Sequence, residues 1–120
     1  MANKRAYLYV LDTLADWEVG FITAELNIGR YFKTGADSYS VKTVSSNGEP
    51  ITTMGGLHIV PDHSLEEINL EDADLLLLPG ADLWGEPRHD GVLKFAKQCL
   101  DAGIVVAAIC GATAVCKYNC

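Results

Sequence analysis

Residues 104–113 read Ile-Val-Val-Ala-Ala-Ile-Cys-Gly-Ala-Thr, an apolar run that ends in a cysteine among small neighbours. Such a run is typical of a strand that is covered on both faces of a parallel sheet. The small residues Ala108, Gly111 and Ala112 allow the chain to turn sharply from strand to helix without steric clashes. The stretch therefore predicts a strand over residues 104–109, a corner at Cys110 and a helix after it.

Similar apolar runs precede this stretch and alternate with helical patterns. Strands are predicted over residues 5–11, 39–45 and 75–78, the last being four leucines that stop at Pro79-Gly80. Residues 51–53 and 57–60 predict an extended excursion around Gly55-Gly56, after a turn at Asn47-Gly48. This order of elements indicates the α/β class, with a mainly parallel sheet, helices on both faces and one domain over residues 1–120.

Capping signals place three helices between the strands. Asp16 is predicted to cap the first helix and Asp90 the third, which ends at Gly103. Residues 64–67 have the spacing of a capping box, so a short helix is predicted to begin there. The first helix is expected to bury one face, on or near which lie Trp17, Phe21, Ile22, Leu26 and Ile28.

The carboxyl ends of the predicted strands indicate where a site would form. In an open parallel sheet, ligands bind where the chain leaves the strands for the helices. Three segments meet this condition: residues 12–18, residues 79–84 and Cys110. A thiol at the start of a helix is favoured as thiolate. The N–H groups of Gly80 or Ala81, and of Gly111, could hold an oxyanion.

Three further side chains belong to the same predicted rim. Glu18 lies in the first turn of the first helix, where a protonated carboxyl group could donate a hydrogen bond to a thiolate. The alternative for Glu18 is an ordinary acidic residue that complements the helix dipole. Asp16 and Trp84 are predicted to line the pocket, although an aromatic side chain more often simply packs.

The remaining histidines and cysteines give weaker signals. His58, His63 and His89 do not end a predicted core strand, so exposed or hydrogen-bonded structural roles are expected. Cys116 and Cys120 are four residues apart but have no further ligand pair, and Cys99 and Cys110 fit no zinc pattern. No metal and no other cofactor is predicted. The loop of residues 12–16, which carries Asp12 and Asp16, would repel the phosphate of a flavin.

Composition limits the partners. The 120 residues carry a net charge of −7 and are 49% hydrophobic, so they indicate a globular domain without a basic stripe for nucleic acid or an anionic membrane. The first apolar run is interrupted by Asp12, Asp16 and Glu18, which excludes a signal sequence or a membrane span there. A cytoplasmic location with reduced thiols is therefore expected.

Residues 107–112, residues 78–82 and Asp16-Trp17-Glu18 together resemble the ThiJ/PfpI family of the class I glutamine amidotransferase-like superfamily, in its bacterial type 1 glutamine amidotransferase-like branch. The resemblance implies a flavodoxin-like three-layer sandwich, a nucleophilic and oxidation-sensitive Cys110, and Glu18 as its hydrogen-bonding acid. It also implies Gly80 in the oxyanion region and a homo-oligomer.

The resemblance leaves the reaction open. The expected substrate is a small carbonyl or amide compound, attacked by Cys110 in a hydrolase-like or in a deglycase- or glyoxalase-like reaction. The alternatives are a redox-sensing or stress protein without catalysis, and an inactive fragment. The chain ends at Cys120, where the family continues with further helix and strands and commonly a histidine. A sandwich incomplete at its C-terminus is therefore expected.

Overall fold

The computed structural model describes residues 3–109 and residue 112. Seven strands and two α-helices follow one another in this part of the chain: β1 Asn3–Tyr9, α1 Asp16–Ile28, β2 Ser38–Ser45, β3 Ile51–Thr52, β4 His58–Ile59, β5 His63–Ser64, β6 Leu75–Leu78, α2 Asp90–Asp101 and β7 Val105–Ala108. Single turns of 3₁₀-helix occur at Leu65–Glu67, Leu70–Asp72 and Pro87–His89.

Five strands form a parallel sheet in the order β5-β2-β1-β6-β7, which confirms the predicted α/β class. The central strand β1 pairs with β2 and with β6, so that Ala6 lies between Val41 and Leu75. Side chains of β1 alternate between the two faces: Leu8 packs on the side of α1, whereas Tyr7 and Tyr9 pack on the side of α2. Burial on both faces explains the continuous apolar run of this strand.

Helix α1 differs from the prediction in two ways. Its N-cap residue is Ala15, and no side chain caps the helix, so the prediction that Asp16 caps it was wrong. The expectation of one buried apolar face was also wrong, because the helix has two apolar faces. Val19, Ile22 and Leu26 pack on the sheet, whereas the opposite face exposes its side chains: Trp17 by 68%, Phe21 by 73% and Ile28 by 63%.

Helix α2 covers the other face of the sheet. Val92, Phe95, Ala96 and Cys99 are buried against β1 and β6. The N-cap residue is His89, not Asp90, because the turn Pro87–His89 already begins the helical path. Gly103 follows the C-cap residue with a φ of 79°, as expected of a glycine that ends a helix.

The excursion between β2 and β6 folds into a small hairpin and an edge strand. Strands β3 and β4 pair antiparallel, and β5 extends the main sheet beside Val44 and Ser45. The helix predicted at residues 64–67 is only one 3₁₀ turn, although the Ser64 N–H donates to the Glu67 carboxylate at 2.8 Å. It stops because Ile68 adopts an extended conformation and is buried in the core.

The last predicted elements are only partly described. Strand β7 confirms the strand within residues 104–109, and Ala112 is helical and fully buried. Cys110 and Gly111 lie outside the described residues. Residues 113–120, which include Cys116 and Cys120, also lie outside them. Among the described residues, no helix is both long and apolar enough to cross a membrane.

Candidate active site

The carboxyl ends of β1, β6 and β7 lie side by side, because these strands are neighbours in the sheet. The Ile109 N–H donates to the Leu78 carbonyl at 3.0 Å, and the Ala112 N–H donates to the Ile109 carbonyl at 3.1 Å. The residues on either side of Cys110 and Gly111 in sequence are therefore held beside the loop that follows β6. Cys110 itself lies outside the described residues.

Glu18 contacts the first residues of that loop. The Gly80 N–H donates to Oε2 of Glu18 at 3.1 Å, and Glu18 lies half-buried in the first turn of α1. At the other end of the same peptide unit, the Pro79 carbonyl accepts a hydrogen bond from Nε1 of Trp84 at 2.8 Å. Both ends of this planar unit are therefore fixed, and the Glu18 carboxyl group is fixed with it.

The next peptide unit joins Gly80 to Ala81. Its carbonyl accepts the Ala15 N–H at 2.9 Å, while the Ala81 N–H finds no acceptor within residues 3–109 and 112. In a trans peptide unit the N–H points away from the carbonyl. The contact with Ala15 therefore directs the Ala81 N–H away from the start of α1. Ala81 is half-buried and packs against the core cluster that contains Ala112.

These contacts differ between the N–H groups of Gly80 and Ala81, the two that the sequence suggested as oxyanion donors after β6. The Gly80 N–H already binds Glu18, whereas the Ala81 N–H has no hydrogen bond within the described residues. Of the two N–H groups, that of Ala81 is therefore the one left without an acceptor among the described residues.

Trp84 lies in the core. Its side chain is 4% exposed, stacks on Tyr9 with a ring distance of 5.6 Å, and holds the Pro79 carbonyl. This position agrees with the alternative that Trp84 simply packs in the core. The indole therefore shapes the rim from behind.

Asp16 faces the β3–β4 hairpin. Its carboxylate accepts hydrogen bonds from the Thr53 hydroxyl at 2.6 Å and from the Gly55 N–H at 2.9 Å. The Thr53 hydroxyl, followed by the Gly55 N–H, lowers the pKa of the Asp16 carboxyl group below its usual value. A Cβ atom on Gly55 would lie 2.9 Å from Oδ2 of Asp16, so the glycine permits this close approach. Asp16 thus fastens the hairpin beside the rim.

Comparison with known proteins gives the family of the chain. Residues 4–117 match the model of the DJ-1/PfpI family. The chain belongs to the DJ-1/PfpI family. It is 52% identical over 113 residues to the uncharacterized protease YoaZ of Bacillus subtilis (strain 168), an alignment that covers 94% of this chain and 54% of that protein. The family resemblance drawn from the three motifs is confirmed.

Solved structures of DJ-1/PfpI proteins share the fold. The ThiJ/PfpI family protein of Bacillus anthracis superposes with a TM-score of 0.89 at 52% identity, over 97% of this chain and 55% of that one. A DJ-1 superfamily protein of Agrobacterium tumefaciens gives a TM-score of 0.75 at 27% identity, over 92% and 55% of the two chains. The flavodoxin-like sandwich is therefore confirmed, and the chain spans about half the length of these relatives.

The histidines of this DJ-1/PfpI chain have structural partners. His58 is exposed and shares a hydrogen bond with Thr52 at 3.0 Å, and His63 lies edge-on to Tyr7. His89 is 2% exposed, and its Nδ1 lies 2.7 Å from the Tyr9 hydroxyl. Burial, with a smaller contribution from Arg88, lowers the pKa of His89. These positions agree with the structural roles expected for the three side chains.

Cys99 is fully buried, and burial raises the pKa of its thiol. Within residues 3–109 and 112, no group of three or more histidine, cysteine or acidic side chains could hold a metal ion.

Thr13 is a rim residue that sequence reasoning missed. It adopts a φ of 73° and is the one non-glycine residue with a positive φ in the described chain. Its Oγ1 accepts hydrogen bonds from the N–H groups of Asp82, at 2.9 Å, and Leu83, at 3.3 Å. No local pattern marks a threonine for this conformation, which favours glycine or asparagine.

Proposed function

We propose that this chain carries the nucleophile of a cysteine-dependent enzyme that acts on a small carbonyl or amide compound. Cys110 is the nucleophile, Glu18 handles the proton, and the N–H groups of Ala81 and Gly111 hold the oxyanion. The observation that carries the proposal is the Ala81 N–H at the end of β6, which has no acceptor within the described residues and follows the Gly80 N–H that binds Glu18.

The position of Cys110 in this proposal follows from its neighbours. Ile109 is hydrogen-bonded to Leu78, two residues before Gly80, and Ala112 packs in the same cluster as Ala81. The covalent bond between Ile109 and Cys110 supports this rim as the place of the proposed nucleophile. In this proposal, the carbonyl oxygen of a substrate attacked by Cys110 would therefore be close to the Ala81 N–H.

The chemistry follows from these roles. The Cys110 thiolate forms a bond to the carbonyl carbon, and the π-electron pair of the carbonyl moves to oxygen. In this proposal the Ala81 N–H, which has no acceptor within the described residues, stabilises the oxyanion. With an aldehyde, Glu18 then protonates the oxygen and gives a thiohemiacetal. With an amide, the pair returns, the C–N bond breaks and the amine leaves with a proton from Glu18.

Hydrolysis of an amide is supported by the name of one relative, the uncharacterized protease YoaZ. The thioester left on Cys110 would then react with water, which regenerates the thiol. The present geometry supports attack on either class of carbonyl compound. We therefore test both, with methylglyoxal as the aldehyde and an acyl p-nitroanilide as the activated amide.

The test is covalent trapping on Cys110. After brief exposure to each reagent, intact mass in the presence of free methylglyoxal should find the aldehyde adduct, and peptide mapping should place the acyl label from the anilide on Cys110. Cys110→Ser should abolish it. Cys99 is a built-in control, because a buried thiol with a raised pKa should stay unlabelled in the folded protein. Labelling of Cys110 no faster than that of a free cysteine derivative would refute the enzyme.

The same proposal includes association with a second copy of the chain. The outer face of α1 supports it, because Trp17, Phe21 and Ile28 are all more than 60% exposed and lie along one side of the helix. Light scattering after size exclusion should find an oligomer that Phe21→Glu dissociates. A wild-type monomer at micromolar concentration would contradict it.

A further inference from the structure

Thr13 has an unfavourable backbone conformation for its residue type. With a φ of 73°, its β-branched side chain is crowded against its own backbone, a conformation that glycine would adopt freely. Strain of this kind persists where the surrounding contacts require it, and it is concentrated at functional sites. A threonine differs from a glycine at this position by its side-chain hydroxyl group.

The Thr13 hydroxyl group makes contacts that a glycine could not make. Oγ1 accepts two successive N–H groups of the loop after β6, those of Asp82 and Leu83. The backbone of Thr13 is itself anchored, because its N–H donates to the Thr52 carbonyl at 2.9 Å. One residue thus joins the end of β1 to the hairpin on one side and to the loop on the other.

These two hydrogen bonds complete the set that orients the loop. The Gly80 N–H binds Glu18, the Gly80 carbonyl binds the Ala15 N–H, and the next two amides after Ala81 bind Thr13. The Ala81 residue is thereby fixed from both of its peptide units. Its N–H is the one amide between residues 80 and 83 that has no acceptor within the described chain.

We propose that Thr13 is a positioning residue that holds the Ala81 N–H in the direction needed to bind an oxyanion formed at Cys110. The inference rests on the function proposed above, and it adds the residue that preorganises the donor. Thr13 touches neither the substrate nor the thiol in this proposal. It acts through the Asp82 and Leu83 amides.

Four variants separate this role from a general effect on folding. Thr13→Val keeps the branched shape but removes the acceptor, and Thr13→Gly relieves the strain but also removes the acceptor. Thr13→Ser keeps the hydroxyl group. Thr23→Val is the matched control, because the Thr23 hydroxyl binds only carbonyls of its own helix, Val19 at 2.7 Å and Gly20 at 3.2 Å.

The readout is a ratio of two rates at Cys110. Acylation by p-nitrophenyl acetate forms an oxyanion, whereas alkylation by iodoacetamide does not, so their ratio reports the donor and is insensitive to the fraction of thiolate. Loss of a whole donor lowers rates by two to three orders of magnitude, so a misdirected one should lower the ratio about tenfold. We expect this in Thr13→Val and Thr13→Gly, and wild-type ratios in Thr13→Ser and Thr23→Val.

Two results would overturn the role of Thr13. One is a ratio of acylation to alkylation rates that is unchanged in Thr13→Val, and the other is a ratio in Thr13→Gly equal to that of the wild type. A different result concerns the proposed function itself, namely a wild-type ratio no higher than that of N-acetylcysteine. In that case the amide signal of Ala81 in ¹⁵N spectra decides about Thr13. A shift in Thr13→Val and Thr13→Gly, but not in Thr13→Ser, supports the positioning, and an unshifted signal rejects it.

Discussion

Two regions of the molecule are fastened to the same short segment, residues 12–18, in different ways. The loop of residues 79–84 is held by Thr13, Ala15 and Glu18, and from behind by the buried Trp84. The hairpin of residues 51–59 is held by backbone groups of Thr13 and Leu14, which bind Thr52 and Met54, and by two carboxylates: Asp12 binds the Thr52 N–H, and Asp16 binds Thr53 and Gly55.

The difference between these regions indicates their roles. The loop is anchored in the core and leaves one amide open, at Ala81, next to a fixed carboxyl group. The hairpin is anchored by a solvent-accessible carboxylate, whose contribution depends on its charge and is reduced by solvent. We infer that the loop provides the rigid part of the candidate site, whereas the hairpin supports it and responds to pH.

The largest expected effect is the loss of the anchor of the loop. Trp84→Ala removes a buried indole that stacks on Tyr9 and holds Pro79, and should lower the free energy of unfolding by about 3–5 kcal/mol. Trp84→Phe should lose about 1–2 kcal/mol with the single hydrogen bond. Urea unfolding measures both.

A matched substitution in the hairpin gives the control. Leu57 is 62% exposed, so Leu57→Ala should change the free energy of unfolding by less than about 0.5 kcal/mol. Equal losses of unfolding free energy in Trp84→Ala and Leu57→Ala would contradict the expectation that the loop side chain contributes more to stability than an exposed hairpin side chain.

The next effect separates the two roles of Glu18. Glu18→Ala leaves the buried Gly80 N–H without its acceptor and should cost about 1–3 kcal/mol of stability. Glu18→Gln keeps an acceptor oxygen and should be close to the wild type in stability. Both variants lose the proton carrier, so both should slow acylation of Cys110 by about a hundredfold or more. Wild-type acylation in Glu18→Gln would remove Glu18 from the proposed chemistry while keeping its contact with Gly80.

The fold was predictable where burial determined the pattern. The continuous apolar runs of β1, β6 and β7 marked strands of the parallel sheet, and the sheet contains all three. The expected cover on both faces holds for β1 and β6, whereas β7 is only partly buried and its Val105 is 62% exposed in the described chain. The pattern failed where both faces of an element are apolar, because periodicity cannot tell the inner face of α1 from its exposed outer face. It also failed at His63 and Ser64, since a two-residue polar edge strand carries no periodic signal.

The candidate site was predictable only as a set of strand ends. The strand-end rule selected residues 12–18 and 79–84, but the direction of each amide depends on contacts between residues distant in sequence, such as Thr13 with Asp82 and Trp84 with Pro79. The helix cap assigned to Asp16 was wrong for the same reason. The carboxylate finds stronger partners in the hairpin, Thr53 and Gly55, than the first N–H groups of its own helix.

A pH titration distinguishes the core side of the loop from the hairpin. His89 follows the loop, and burial lowers its pKa below the usual 6.5. The folded protein therefore binds this proton less readily than the unfolded chain, and the contribution of neutral His89 is complete above pH 6.5 and falls as the pH drops toward the folded pKa.

The expected measurement is a decrease in the urea midpoint between pH 7 and pH 5 that His89→Gln reduces. The comparison uses the slope with pH, because the substitution can also change the stability at pH 7. An undiminished slope in His89→Gln would show that other groups cause the acid sensitivity.

The smallest expected effect lies in the hairpin, at Asp16. Its pKa is lowered from the usual 3.8, chiefly by the Thr53 hydroxyl, so its contribution is present above that value and disappears as the pH falls through the lower folded pKa. The Gly55 N–H donates to this carboxylate, so its proton signal should titrate with a midpoint below 3.8. Asp16→Asn should abolish the titration, whereas Asp37→Asn, which removes a charge paired with Lys4, should leave it unchanged. A midpoint at or above 3.8 would mean that the carboxylate does not hold the hairpin, which would then be fastened by its contacts with Asp12, Thr13 and Leu14.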